Sequence, residues 1–156
     1  MAYDFRKDFP LLQQNKIAYL DNAATAQRPQ CVIDAESSFY RNSNANPLRG
    51  LYSLSVEATE IYENAREAVR DFLNASSTEE IIFTRGTTEG LNLVAYSYGL
   101  HRVKEGDEVL VSIMEHHSNL LPWQMVCRQT GAKLRFIECE PDGSVDLAKV
   151  EALIND

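Results

Sequence analysis

Glu80-Ile81-Ile82-Phe83-Thr84-Arg85-Gly86-Thr87-Thr88-Glu89-Gly90-Leu91-Asn92-Leu93-Val94-Ala95-Tyr96 contains an abrupt change of pattern. Glu80–Thr84 is a short apolar run of the kind that forms a strand, and Leu91–Tyr96 reads as helical. Between them Gly86 permits a tight turn. Thr87 and Thr88 then begin a helix whose first amide N–H groups find no partner inside it.

The same alternation continues downstream. Gly106-Asp107 is a turn before the strand Glu108–Ile113, and a polar cluster, Glu115-His116-His117-Ser118-Asn119, leads to a helix near Leu121 to Gln129. Gly131 is a natural helix stop. Lys133–Ile137 alternates as a strand, Pro141-Asp142-Gly143 is a turn, and Asp146 caps a last helix through Ile154. Upstream, a helix is expected from Ser55, as N-cap, to Asn74, with Ile61, Ala65, Ala68, Val69, Phe72 and Leu73 on one stripe. Residues 42–50 read as a loop, Pro29 opens another helix, and Ile17–Leu20 reads as a strand.

Strands alternating with helices predict an α/β chain: three layers, with a mostly parallel sheet and helices on both faces. Only roughly three core strands and a short N-terminal one are visible, whereas central strands of such sheets are flanked on both sides. The chain is therefore expected to be the front part of a larger domain.

Composition narrows the class. The 156 residues are 44% apolar and 24% charged, with 15 basic against 23 acidic side chains and a net charge of −8. That supports a packed core rather than disorder. The acidic balance argues against a nucleic-acid surface, which needs clustered Lys and Arg. No apolar run approaches the roughly 18 residues of a membrane helix, and the start lacks the layout of a secretion signal, so no membrane role is expected. Cys31, Cys127 and Cys139 lie at irregular spacing with no C-x-x-C pair. They support neither a disulfide framework nor a metal site, and are expected as small buried hydrophobes in a reduced, cytoplasmic compartment.

Three segments are candidates for chemistry. At Gly86-Thr87-Thr88, free amides, two hydroxyls and the positive end of a helix dipole suit a phosphate, although a simple N-cap explains the same residues. His116 and His117 follow a strand at the end where parallel sheets bind ligands. Neighbouring side chains on an extended segment point to opposite sides, so at most one ring faces a pocket and the two are a poor metal pair. A ring above the anion site would stack on a flat ligand and move protons near neutral pH; two loop histidines with satisfied hydrogen bonds are the plainer alternative. In Asp21-Asn22-Ala23-Ala24-Thr25 small side chains let backbone approach a ligand, and an ordinary turn accounts for them equally well. Arg49 reads as an isolated surface arginine and Trp123 as core.

Taken together, these stretches resemble the N-terminal part of cysteine desulfurases of the class V aminotransferase family, in the group that includes selenocysteine lyase-like, sulfur-mobilising enzymes. The resemblance rests on Tyr19-Leu20-Asp21-Asn22-Ala23-Ala24, Arg49-Gly50 with Leu54-Ser55, and Arg85-Gly86-Thr87-Thr88-Glu89-Gly90. It continues through Met114-Glu115-His116-His117-Ser118-Asn119, Pro122-Trp123-Gln124 and Pro141-Asp142-Gly143. It implies a dimeric enzyme of the aspartate-aminotransferase-like fold (fold type I), dependent on pyridoxal 5'-phosphate. Such enzymes convert L-cysteine, or selenocysteine, to alanine and hold the sulfur as a persulfide for an acceptor protein and iron–sulfur cluster assembly.

By the same resemblance Gly86, Thr87 and Thr88 hold the cofactor phosphate, and His116 stacks on the pyridine ring and takes part in acid–base steps. Ala23 and Ala24 lie beside the bound amino acid. Residues 1–50 form an N-terminal segment with the active-site entrance loop, and residues 51–156 the first part of the large domain. Two positions depart from the family: Leu48 and Tyr52 stand where histidines are common. The cofactor-bearing lysine belongs to a Ser-x-His-Lys setting that none of Lys7, Lys16, Lys104, Lys133 or Lys149 has, so the chain alone is expected to be inactive. Another class V enzyme, or a non-catalytic α/β module for a phosphorylated ligand, are the alternative readings.

Overall fold

The structure, a computed structural model, describes residues 4–155; Met1–Tyr3, part of the stretch examined for a leader, and Asp156 lie outside the described residues. Contacts gather the chain into two units, Met1–Ile81 and Ile82–Asp156.

In the first unit a 3-10 turn, Phe5–Asp8, leads into α1 (Pro10–Gln14). Pro10 occupies the first helical position, where a missing N–H is harmless. The Arg6 guanidinium fastens this segment by donating to the carbonyls of Leu12, Ile17 and Asn15 at 2.9, 3.1 and 3.1 Å. After α2 (Gln30–Asn42) comes α3 (Ser53–Leu73), the longest helix described, which ends at Asn74 in the left-handed region at φ 54°.

Ser55 is not the cap of α3. That position is Tyr52, with no side-chain bond, and Ser55 lies fully buried inside the first turn. Its hydroxyl accepts from the Gly50 N–H at 3.0 Å and donates to the Asn46 carbonyl at 2.6 Å. The Ser43 hydroxyl donates to Glu57 Oε1 at 2.5 Å, and the Leu48 N–H donates to Thr59 Oγ1 at 2.9 Å. Side chains of α3 thus satisfy the incoming loop rather than their own helix end. Gly50 is required there, since a Cβ would lie 2.4 Å from Ser55 Oγ.

In the second unit α4 (Thr87–Val94) runs through a π turn, Ala95–Gly99, into α5 (Leu100–Arg102). β1 (Glu108–Ser112) and β2 (Lys133–Ile137) pair in parallel, from Glu108 opposite Lys133 to Ser112 opposite Ile137. The crossover such a pair needs is α6 (His117–Thr130), which ends at Gly131 with φ 80°. α7 (Leu147–Glu151) follows, capped by Asp146, whose carboxylate accepts from the Ala148 N–H. Ala95, Val111, Val126 and Cys127 form the buried core, and α6 packs on α4, the π turn and both strands. Gly99 permits that approach: a Cβ there would meet Val126 Cγ2 at 3.0 Å and Trp123 Cζ3 at 3.3 Å.

Two expected strands are absent among the described residues. Ile17–Leu20 is irregular, and after a 3-10 turn at Thr78–Glu80 residues 81–84 are irregular too. A strand is completed by the hydrogen bonds of a neighbour, and neither run has a paired one. Leu20 and Ile82 are accordingly 91% and 68% exposed despite being apolar. The sheet is parallel as expected, with two strands. No helix among the described residues is long and apolar enough to cross a membrane.

Candidate active site

The start of α4 is chemically open. Gly86 is the cap residue, no side chain caps the helix, and nothing lies within 4 Å of where a Gly86 Cβ would sit. The Gly90 N–H donates to the Gly86 carbonyl at 3.1 Å, which begins the intrahelical ladder. The amides of Thr87, Thr88 and Glu89 precede that ladder and have no carbonyl within the helix to reach. Glu89 turns back so that Oε2 accepts from the Arg85 N–H at 2.5 Å. Thr84 Oγ1 donates to the Gly86 carbonyl at 3.1 Å, steadying the turn.

The start of α6 is built in the opposite way. His116 is its cap residue, and its ring Nδ1 accepts from the Ser118 N–H at 3.1 Å, with Ser118 Oγ 2.9 Å away. Farther along, Glu115 Oε2 accepts from Asn119 Nδ2 at 2.8 Å, and Asn119 Oδ1 accepts from Trp123 Nε1 at 3.0 Å. That ladder fixes one side of α6. Trp123 is only half-buried and keeps its polar edge paired.

Both helix starts open on one cleft of about 420 Å³, lined by Thr88, Asn92, Tyr96, His116, His117, Ser118, Leu121, Pro122 and Met125. Of the two threonines, Thr88 lines it. No Lys, Arg, Asp or Glu is in that lining, so the amides opening α4 provide its positive field. Leu121, Pro122 and Met125 give it an apolar wall. An anionic group at the amides and a flat ring between the walls match this distribution of donors and apolar surface.

Both histidines line the cleft, contrary to the expectation of at most one. The alternation argument needs extended backbone at both residues. His116 is extended, at φ −63° and ψ 148°, but the helix already begins at His117. The rings lie 6.3 Å apart, tilted by 53°. No group of three or more potential metal ligands exists among the described residues.

Asn92, Tyr96, Ser118, Leu121 and Met125 belong to the cleft without having been singled out from the sequence. Their signal was periodicity. Thr88, Asn92 and Tyr96 recur at fours, as do His117, Leu121 and Met125, so each set lies on one helical face.

In the first unit Ala23 and Ala24 occupy an exposed turn closed by the Ala24 and Thr25 N–H groups on the Asp21 carbonyl, at 3.2 and 3.1 Å. Arg49 is exposed, as expected, and Leu48 beside it holds φ 69°, in the left-handed region that a leucine seldom adopts. Of the cysteines only Cys127 is buried, and burial pushes its thiol pKa up. Cys31 is exposed and Cys139 half-buried, so neither is a core hydrophobe.

A family model described as aminotransferase class-V matches residues 18–156. A curated cysteine desulfurase from Salmonella newport is 51% identical over 155 residues, covering 97% of this chain and 38% of that relative. Among solved structures, the apo cysteine desulfurase from Thermococcus onnurineus superposes with a TM-score of 0.87 at 44% identity, covering 94% of this chain and 36% of that one. The cysteine desulfurase CsdA from Escherichia coli, in its S-sulfonic acid form, superposes with a TM-score of 0.82 at 41% identity. There the coverage is 99% of this chain and 39% of the other. The chain thus spans about 38% of the length of the curated relative it matches.

Proposed function

The chain belongs to the aminotransferase class-V family, and on that premise we propose that it forms the first part of a pyridoxal-phosphate-dependent cysteine desulfurase. The reaction is conversion of L-cysteine to L-alanine, with the sulfur carried onward as an enzyme persulfide. The observation that supports it most is the meeting of Thr88, at the uncapped start of α4, with His116 on the walls of one cleft. The 51% identity to a curated cysteine desulfurase supports the choice of reaction within the family.

The residues present fit that cofactor. Gly86, Thr87 and Thr88 bind its phosphate through the free amides and a hydroxyl, since a dianion is stabilised at an uncapped helix N-terminus. The apolar strip of Leu121, Pro122 and Met125 keeps water off a bound heteroaromatic ring. His116, on the wall of the same cleft, would be the residue to hold the ring and to take or give a proton there. Ala23 and Ala24 offer small side chains that let backbone approach the amino acid. When bound, the cofactor supplies the electron sink that stabilises negative charge on the amino-acid carbon.

The proposal extends to a homodimer in the cytoplasm, a sulfur-acceptor protein as partner, and iron–sulfur cluster assembly as the use of the sulfur. Residues 1–50 serve as the entrance segment and residues 51–156 as the opening of the large domain. The test is purification of the whole protein. Cofactor absorbance that borohydride bleaches, together with alanine formed from cysteine, is expected. Phosphate binding without any turnover of cysteine would overturn the proposal in favour of a non-catalytic module.

A further inference from the structure

We propose that Ser118 is a positioning residue that holds the His116 ring by its Nδ1 edge through both protonation states and so makes Nε2 the nitrogen that serves the cleft. This rests on the reading of His116 given above, and goes beyond it to the atom and to a residue outside that reading.

The argument starts from what each group is able to do. A backbone N–H only donates, so Nδ1, 3.1 Å from the Ser118 nitrogen, is an unprotonated acceptor. In the neutral ring the proton then sits on Nε2, at the edge away from the helix. The Ser118 hydroxyl, 2.9 Å from the same Nδ1, both donates and accepts. While the ring is neutral, the hydroxyl shares the single Nδ1 lone pair with the amide. When the ring is doubly protonated, Nδ1–H must donate, the amide bond is lost, and the hydroxyl oxygen becomes the acceptor. Ser118 is thereby a partner in either state, and the ring need not swing out as its charge changes.

Among the described residues the His116 ring is hydrogen-bonded through Nδ1 to Ser118. The titratable members of the cleft are Tyr96, His116 and His117, and no carboxylate lines it. The nearby Glu115 carboxylate is taken by Asn119 at 2.8 Å. His117 lies on the same helix start, with its ring centre 6.3 Å from that of His116.

The experiment is nitrogen-15 NMR of the histidine rings in the whole protein without cofactor, at one pH above and one below the ordinary imidazole pKa of about 6.5. His116→Asn, which keeps a capping oxygen, assigns the signal by its disappearance. At the higher pH the expected spectrum has a pyridine-type Nδ1 and a pyrrole-type Nε2 for His116. Ser118→Ala keeps the amide that donates to Nδ1 and so keeps this spectrum, but at the lower pH the charged ring has lost its acceptor and its signals broaden. Ser118→Thr restores them, with the His101 and His117 signals the same in all three proteins as a check on folding. With cofactor and cysteine, Ser118→Ala lowers kcat about tenfold with KM unchanged. A protonated Nδ1 in the neutral ring of the unaltered protein, or Ser118→Ala spectra identical to its own at both pH values, overturns the inference. Failure of the protein to take up pyridoxal phosphate would instead count against the function proposed above, and the ring spectrum would still decide the role of Ser118.

Discussion

α4 and α6 begin on the same cleft and solve the same problem in opposite ways. Every helix start carries unpaired amides. At α4 Gly86 contributes no side chain, and the amides are left facing outward. At α6 the His116 ring is folded back onto the Ser118 N–H, so one amide is satisfied and a ring is immobilised. The first arrangement gives up only a few tenths of a kcal/mol of capping stability, since glycine is itself a tolerated cap, and leaves amides open for the proposed anion. The second uses the cap to fix a functional group. A binding end and a positioning end are therefore distinguished by whether the cap residue has a side chain to offer.

The largest effect is expected where the cap is itself the working group. His116→Ala in the whole protein lowers cysteine turnover by about a hundredfold or more while cofactor absorbance persists, because acid–base help is lost and the phosphate seat is untouched. It also destabilises α6 by about 1 kcal/mol through the lost cap. His116→Asn separates the two, recovering stability but not turnover. Normal turnover in either variant would erase the distinction between the helix starts.

Next comes the open end. Thr88→Ala removes a hydroxyl at the second helical position and leaves a residue of high helix propensity. Affinity for inorganic phosphate, and for the cofactor, is expected to fall about tenfold, the value of one hydrogen bond to a charged group. Helicity should not change. Undiminished binding would reduce the α4 start to an ordinary turn.

Much of this was legible in the sequence because local chemistry decided it. Lys133–Ile137 alternates between Gly131 and the Pro141 turn, and β2 has those bounds. Asp146 caps α7 as an aspartate should. The Gly86–Thr88 start of α4 and the strand Glu108–Ser112 follow the same way. What was not legible depends on partners distant in the chain. Ile17–Leu20 and Ile81–Thr84 have strand-like side chains, but no ladder neighbour among the described residues supplies their hydrogen bonds. Ser55 has the composition of a cap, yet Gly50 and Asn46 claim its hydroxyl. Histidine is an uncommon cap, so the His116–Ser118 bond had no propensity to announce it.

A smaller effect tests the field at α4. Glu89 places a carboxylate on the turn where a dianion is proposed to bind, held there by the Arg85 N–H. Glu89→Gln keeps an oxygen that accepts from this amide but removes the charge. Phosphate affinity should rise about two- to threefold at low salt, and the gain should shrink as salt screens it. A fall in affinity would mean that the Arg85–Glu89 link shapes the seat more than its charge opposes the ligand.

The smallest effect is a control in the same unit, on residues that do not line the cleft. Glu108 Oε2 accepts from Arg135 Nη1 at 2.7 Å and from Asn155 Nδ2 at 2.9 Å. The Arg135 hydrogen bond, then that from Asn155, holds the Glu108 carboxyl below its ordinary value. A carboxyl whose pKa is lower folded than unfolded contributes stability that is fully present above the unfolded value, about 4.3, and disappears as pH falls through the folded one. The contribution is small because the pair is partly exposed and screened. Denaturant midpoints followed from neutral pH downward should therefore fall more steeply below about pH 4 for the unaltered protein than for Glu108→Gln. Phosphate affinity should be identical in the two, since neither Glu108 nor Arg135 lines the cleft. Parallel acid slopes would show that the strand-edge pair adds nothing. A changed phosphate affinity would show that the two helix starts do not act through their own first turns alone.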